Sequence, residues 1–142
     1  MRERILSLLG LMKKARALSA GENNASEAAR AGKARLLLIA SDASGNAKKR
    51  AADLAAGRSL IPLELPFTKE ELARALGTGS CALAAVTDLG FADALMALLS
   101  REWPERYEAA AQEIRQRREK ARRRAGTAGQ KNKRTGKRRT DV

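Results

Sequence analysis

Three features of this 142-residue chain predict an α/β fold, a three-layer α/β/α sandwich with a small mixed sheet of about four strands. Helical patterns alternate with short apolar runs along most of the chain. Those runs are bounded by Gly, Pro, Asn, Asp and Ser, as buried strands are. The apolar content of 44%, with aromatics at only 3%, implies a core built on Leu, Ile, Val and Ala. It also argues against a sheet that stacks bases on exposed rings.

Ile5, Leu8, Leu9 and Met12 share one helical face, widened by Leu6 and Leu11, so residues 2 to 17 are expected to form a helix. Leu18 to Ala20 form a short strand or extended link before Gly21 breaks the chain direction. A second helix over 23 to 31 ends at Gly32, the favoured residue just past a helix C-terminus. The run Leu36-Leu-Leu-Ile-Ala reads as a strand covered on both faces.

Asp42-Ala-Ser-Gly-Asn46 can turn the chain and cap a helix over about 46 to 56, stopped by Gly57. Leu60 to Leu65 is a further strand, and Pro62 assigns it to an edge. Thr68 followed by Glu71 is a capping box that opens a helix to Leu76. Gly77-Thr-Gly-Ser turns into the strand Ala82 to Val86, and a helix from Leu89 to Leu99 completes the order.

The expected organisation is a domain over 1–100, an amphipathic to basic helix over 101–124 and a disordered basic tail over 125–142. Trp103, Tyr107, Ala110 and Ile114 make a stripe that can dock the helix on the domain. Residues 1–100 carry 14 Lys/Arg against 10 Asp/Glu, whereas residues 101–142 carry 15 against 6. Most of the net charge of +13 therefore sits in the extension, as befits an electrostatic arm for nucleic acid.

Composition also narrows the chemistry. There is no histidine, which removes the commonest general base and transition-metal ligand. The single thiol, Cys81, borders an apolar run and reads as a small packed residue. Gly77 to Ala82 matches a loose G-x-G-x-x-A dinucleotide fingerprint, but a helix precedes it and a strand follows, the reverse of the required order. Glu70, Glu71, Asp88 and Asp93 occupy helix-start positions. No catalysis, cofactor or metal is expected. Lys13, Lys14 and Arg16 interrupt the apolar N-terminal stretch, and no segment reaches the ~20 apolar residues of a membrane span, so a cytoplasmic chain without membrane contact is expected.

From about Leu8 to Leu99 the chain resembles the bacterial YlxQ-like branch of the ribosomal "L-seven-Ae" family, whose members bind kink-turn RNA. The likeness rests on Leu9-Gly-Leu-Met-Lys-Lys-Ala, on Ser19-Ala-Gly-Glu-Asn-Asn, and on Arg30-Ala-Gly-Lys-Ala-Arg-Leu-Leu-Leu-Ile-Ala-Ser-Asp-Ala-Ser. It continues in Ile61-Pro and Ala85-Val-Thr-Asp-Leu-Gly-Phe-Ala. The resemblance implies an RNA-reading motif, Gly-x-Asn-Glu-x-x-Lys, that falls on Gly21, Glu22, Asn23, Asn24 and Glu27.

By that resemblance Asn23 donates to guanine O6 or N7, and the amide oxygen of Asn24 accepts from a guanine N–H in place of a Glu. Glu27 stands where the family has lysine, and weakens a contact of a kind worth about 1–3 kcal/mol. It either alters the choice of RNA or simply serves the helix dipole. The loop Thr78, Gly79, Ser80, Cys81 and Ala82 is implied to cover unpaired nucleotides, with Asp42, Ala43 and Ser44 beside it. Lys13, Lys14, Lys33 and Arg35 are candidate phosphate contacts. The implied partners are rRNA or another structured RNA and the ribosome, met by a monomer. The rival reading is a protein-binding adaptor of the translation or transcription machinery whose tail alone holds RNA.

Overall fold

The computed structural model describes the backbone of residues 1–141 and the side chains of residues 1–125. The side chains of nearly all of the expected basic tail, 125–142, lie outside the described residues. Six helices and four strands alternate as α1 (Arg2–Lys14), β1 (Leu18–Ala20), α2 (Glu22–Arg30), β2 (Leu36–Ile39) and α3 (Gly45–Ala55). The order continues with β3 (Ile61–Glu64), α4 (Lys69–Leu76), β4 (Leu83–Val86), α5 (Leu89–Glu102) and α6 (Pro104–Asp141). α1 stops three residues short of the expected end because Arg16 turns into the left-handed region, at φ 61°, and sends the chain into β1.

The sheet order is β1-β4-β2-β3, with β4 antiparallel to both neighbours and β2 parallel to β3. Every residue of β2 and β4 is buried, as the uninterrupted apolar runs require of central strands. Pro62 sits on edge strand β3, where its missing N–H breaks no ladder. Helices α2 and α3 pack on one face; α1, α4 and α5 form the other layer.

The register fixes what lies at each end of the sheet. Ile39 pairs with both Glu64 and Leu83, and Ala20 with Ala84, so β1, β2 and β3 finish where β4 begins. This end, the upper one, gathers Gly21, residues 40–44, residues 65–69 and the loop 77–82. Backbone bonds tie these segments together, from Gly21 N–H to Leu83 O, Ala40 N–H to Ala82 O and Ser41 N–H to Phe67 O. The lower end holds Ala17, Arg35 and Thr87, joined through Thr87 N–H to Ala17 O and Arg35 N–H to Val86 O.

α6 is anchored to α5 and to the β3 edge. Tyr107, Ala111 and Ile114 are buried in the same core as the sheet, and the Tyr107 hydroxyl donates to Glu64 O at 2.7 Å. Trp103 meets the Tyr107 ring edge-on with centroids 6.3 Å apart. Of the expected docking stripe, Trp103 and Ala110 are only partly buried, and Ala111 takes a core place that the sequence pattern did not mark.

Candidate nucleic-acid interface

Helices α3, α4 and α5 close their own N-termini. Ser44 Oγ accepts from Ala47 N–H at 3.1 Å, and Asp88 Oδ1 accepts from Phe91 N–H at 2.9 Å. Thr68 and Glu71 form the reciprocal capping box expected of them. α2 has no such closure. Its N-cap is Gly21, held at φ 96° and ψ 156° while its N–H is spent on Leu83 O. That conformation is essentially open only to glycine. The first-turn amides from Glu22 to Asn24 thus have no side-chain cap, and they carry the partial positive charge of a helix start.

Asn23 and Asn24 are both exposed at this start. Asn24 Nδ2 donates to Ala20 O at 2.9 Å, and because a carbonyl can only accept, this bond fixes which amide atom is which. The Oδ1 of Asn24 is left as the atom available to an incoming N–H donor. The chemistry of an acceptor beside a donor is in place.

Glu27 lies one turn further on, exposed, with no ion pair among the described residues. Two shallow grooves meet at it. One is lined by Asn23, Ser26, Arg30 and Arg50, the other by Asn24, Arg16, Lys33 and Thr87. Four cations thus flank Glu27. Glu22 is bound to Arg50 at 3.0 Å, an exposed pair of small energetic weight. The Ser26 hydroxyl is buried without a partner among the described residues.

The structure brings most of the residues singled out from sequence to the upper end, and changes what several of them can do there. Asp42 Oδ1 accepts from Lys69 N–H at 2.7 Å, so it braces the start of α4. Ser44 is the cap of α3, and Ala43 and Cys81 are buried, so all three shape the site without offering free side chains. Lys13 Nζ donates to Leu76 O at 2.6 Å and caps the end of α4. Within the loop, Gly79 and Ser80 are exposed, Ala82 is half-buried, and the Thr78 hydroxyl is buried without a partner among the described residues.

Lys14 is exposed on the α1–α4 side, away from α2, with Leu11 and Arg74 around it. Arg35 lies at the lower end, and Lys33 reaches the site only through the groove it shares with Asn24. Arg16, Arg30 and Arg50 were not among the phosphate contacts expected from sequence. Arg16 follows the end of α1 and Arg50 belongs to α3, so only packing brings them to α2.

Burial pushes the Cys81 thiol up, against weaker lowering by the Gly21 amide and Lys13, which keeps it protonated near neutral pH. No group of three His, Cys, Asp or Glu among the described residues is placed to hold a metal, and none of the described helices is long and apolar enough to cross a membrane. What the upper end offers chemically is a donor, an acceptor and unfilled backbone amides, with the positive charge of Arg16, Arg30, Lys33 and Arg50 further along α2.

Residues 3–96 match the model of the "Ribosomal protein L7Ae/L30e/S12e/Gadd45 family". The chain is 35% identical over 92 residues to "RNA-binding protein YlxQ" of Bacillus subtilis (strain 168), across 65% of this chain and 91% of that relative. Among solved structures, a protein of unknown function from Bacillus halodurans is 34% identical with a TM-score of 0.61, covering 68% of this chain and 96% of the other. The Giardia lamblia 15.5kD RNA binding protein shares the fold, with a TM-score of 0.56 at 18% identity over 73% of this chain and 84% of its own.

Proposed function

The chain belongs to the ribosomal protein L7Ae/L30e/S12e/Gadd45 family, and from that premise we propose that it is an RNA-binding protein that recognises kink-turn-like folded RNA through the start of α2. The observation that carries this reading is the Asn24 to Ala20 bond at a helix start with no side-chain cap. It fixes one amide oxygen as an acceptor beside Asn23, whose amide is a donor for guanine O6 or N7. Unfilled amides beside them suit phosphate or base oxygens.

The same reading assigns the cations to the backbone. Arg16 and Lys33 on one flank of Glu27, and Arg30 and Arg50 on the other, supply phosphate attraction that Glu27 itself opposes. Lys14 and Arg35 contribute to the wider field. The loop 77–82 and residues 42–44 form a small, polar rim for unpaired nucleotides. The role is binding without catalysis, carried out as a monomer in the cytoplasm, with rRNA or a ribosome-associated RNA as target. The basic C-terminal segment adds affinity by counterion release without choosing sequence.

The test is a titration of the full chain, at salt high enough to suppress nonspecific attraction, with a kink-turn RNA and with a control whose tandem G·A pairs are replaced. Clear preference for the kink-turn supports the reading. Equal affinity for both would transfer the domain's role to a protein-binding adaptor.

A further inference from the structure

α6 begins beyond the family-matched segment, which ends at residue 96, and its path gives the basic extension a direction. α5 starts just after the lower end of β4 and returns to the upper end; Trp103 turns the chain, and α6 runs back down beside it. Three contacts mark the descent. Tyr107 bonds Glu64 O at the upper end of β3, Arg117 bonds Ser59 O just before the lower end of the same strand, and Arg118 pairs with Asp93 at 2.7 Å near the start of α5. Below Arg118, the exposed side chains of Lys120, Arg122, Arg123 and Arg124 follow in quick succession.

The α2 start therefore faces one end of the sheet, while the basic stretch of α6 leaves from the other. The two lie apart by at least the length of α2, roughly 13 Å for its nine residues. We infer that α6 is a fixed second RNA contact, which grips the phosphate backbone of a stretch of the same RNA distant from the one seated on α2. This rests on the reading of α2 as the recognition site. An anchored arm differs from a loose tail in one respect: buried Tyr107 and Ile114 and the Arg118–Asp93 pair set where its charge is delivered. The partner it fits is a duplex flank of a structured RNA, since the deep, narrow major groove of A-form RNA withholds base edges and leaves phosphates to the Lys and Arg of an exposed helix.

The experiment places a hydroxyl-radical reagent on the full chain, in a Cys81→Ser background, at either Ser41→Cys of the upper end or Ala121→Cys of α6. The probe RNA is a kink-turn extended by duplex on both sides. Cleavage at two separate stretches, near the kink from position 41 and on one flank from position 121, is expected. Overlapping cleavage, or none from 121, would overturn the inference. Cleavage from 121 alone would instead sink the α2 reading and leave the direction of the arm standing.

A second variant guards against a misfolded reagent carrier. Lys120→Gln/Arg122→Gln/Arg124→Gln changes only exposed side chains and should cost about fivefold or more on the extended RNA, against less than about twofold on a minimal kink-turn. Equal loss on both RNAs would put the arm over the kink and overturn the inference.

Discussion

Two helices that start at the same end of the sheet begin in opposite ways. At α4, Thr68 and Glu71 satisfy each other's amides, Asp42 takes the Lys69 N–H, and Arg2 binds the Glu71 carboxylate while lying 4.8 Å over the Phe67 ring. At α2 the cap is a glycine without a side chain, and the two asparagines beside it are exposed. A side-chain cap is worth about 1 kcal/mol over alanine but only a few tenths over glycine, so α2 forgoes a small part of the stabilisation that α4 takes. What α2 keeps instead is unused hydrogen-bonding capacity, the property that a binding surface needs and a structural helix start does not.

The widest separation between the two starts should come from Asn23→Ala. If Asn23 holds a guanine edge, the loss of a contact worth about 1–3 kcal/mol lowers kink-turn affinity roughly 5- to 150-fold in calorimetric titration, with the melting temperature unchanged. A lowered melting temperature with intact binding would give α2 the same purely structural role as α4. Glu27→Lys sharpens the comparison from the other side. Removing a carboxylate and adding a cation among Arg16, Lys33, Arg30 and Arg50 should tighten kink-turn binding about tenfold, and unaltered competition by labelled RNA would take Glu27 off the interface.

Thr68→Ala is the converse experiment at α4. It should cost about 1 kcal/mol and lower the melting temperature by a few degrees, while RNA affinity at a temperature where both proteins are folded stays the same. A matching fall in RNA affinity would show that the α4 start also meets RNA.

The smallest effect is a pH dependence confined to α4. Bonding from the Thr68 amide, opposed by some burial and aided by Arg2, holds the Glu71 carboxyl below the ordinary carboxylate range. A depressed folded-state pKa stabilises the fold fully above the ordinary carboxylate range and loses that contribution as pH falls through the depressed value. Acidification from about pH 5 to about pH 3 should therefore lower the protection of the Thr68 and Glu71 amides relative to their intrinsic exchange rates, and Glu71→Gln should remove that acid-dependent part. The first turn of α2, with no carboxylate cap, should show no comparable step; an equal step there would undo the contrast.

Much of this molecule could be read from short-range pattern. Pro62 marked an edge strand, Leu36 to Ile39 marked a doubly covered one, and Thr68 with Glu71 marked a capped helix, because each depends on neighbours within a few residues. Of the candidate site, the helix start was legible: Gly21, Asn23 and Asn24 stand exposed or half-exposed there. Its working side chains were less so. Asp42 is engaged 27 residues away and Lys13 63 residues away, and neither partner leaves a trace in local composition.

The sequence by itself determined the order of helices and strands and the charge of the extension, since sterics, capping chemistry and apolar periodicity act over single turns. Tertiary structure decided which polar groups stay unengaged and where they point. It tied up Asp42, Ser44 and Lys13, brought Arg16 and Arg50 to α2, and aimed α6 toward the end of the sheet opposite the asparagines. The reason is that a hydrogen bond or ion pair consumes a side chain only when folding brings its partner within about 3 Å, and that distance belongs to the packed layers.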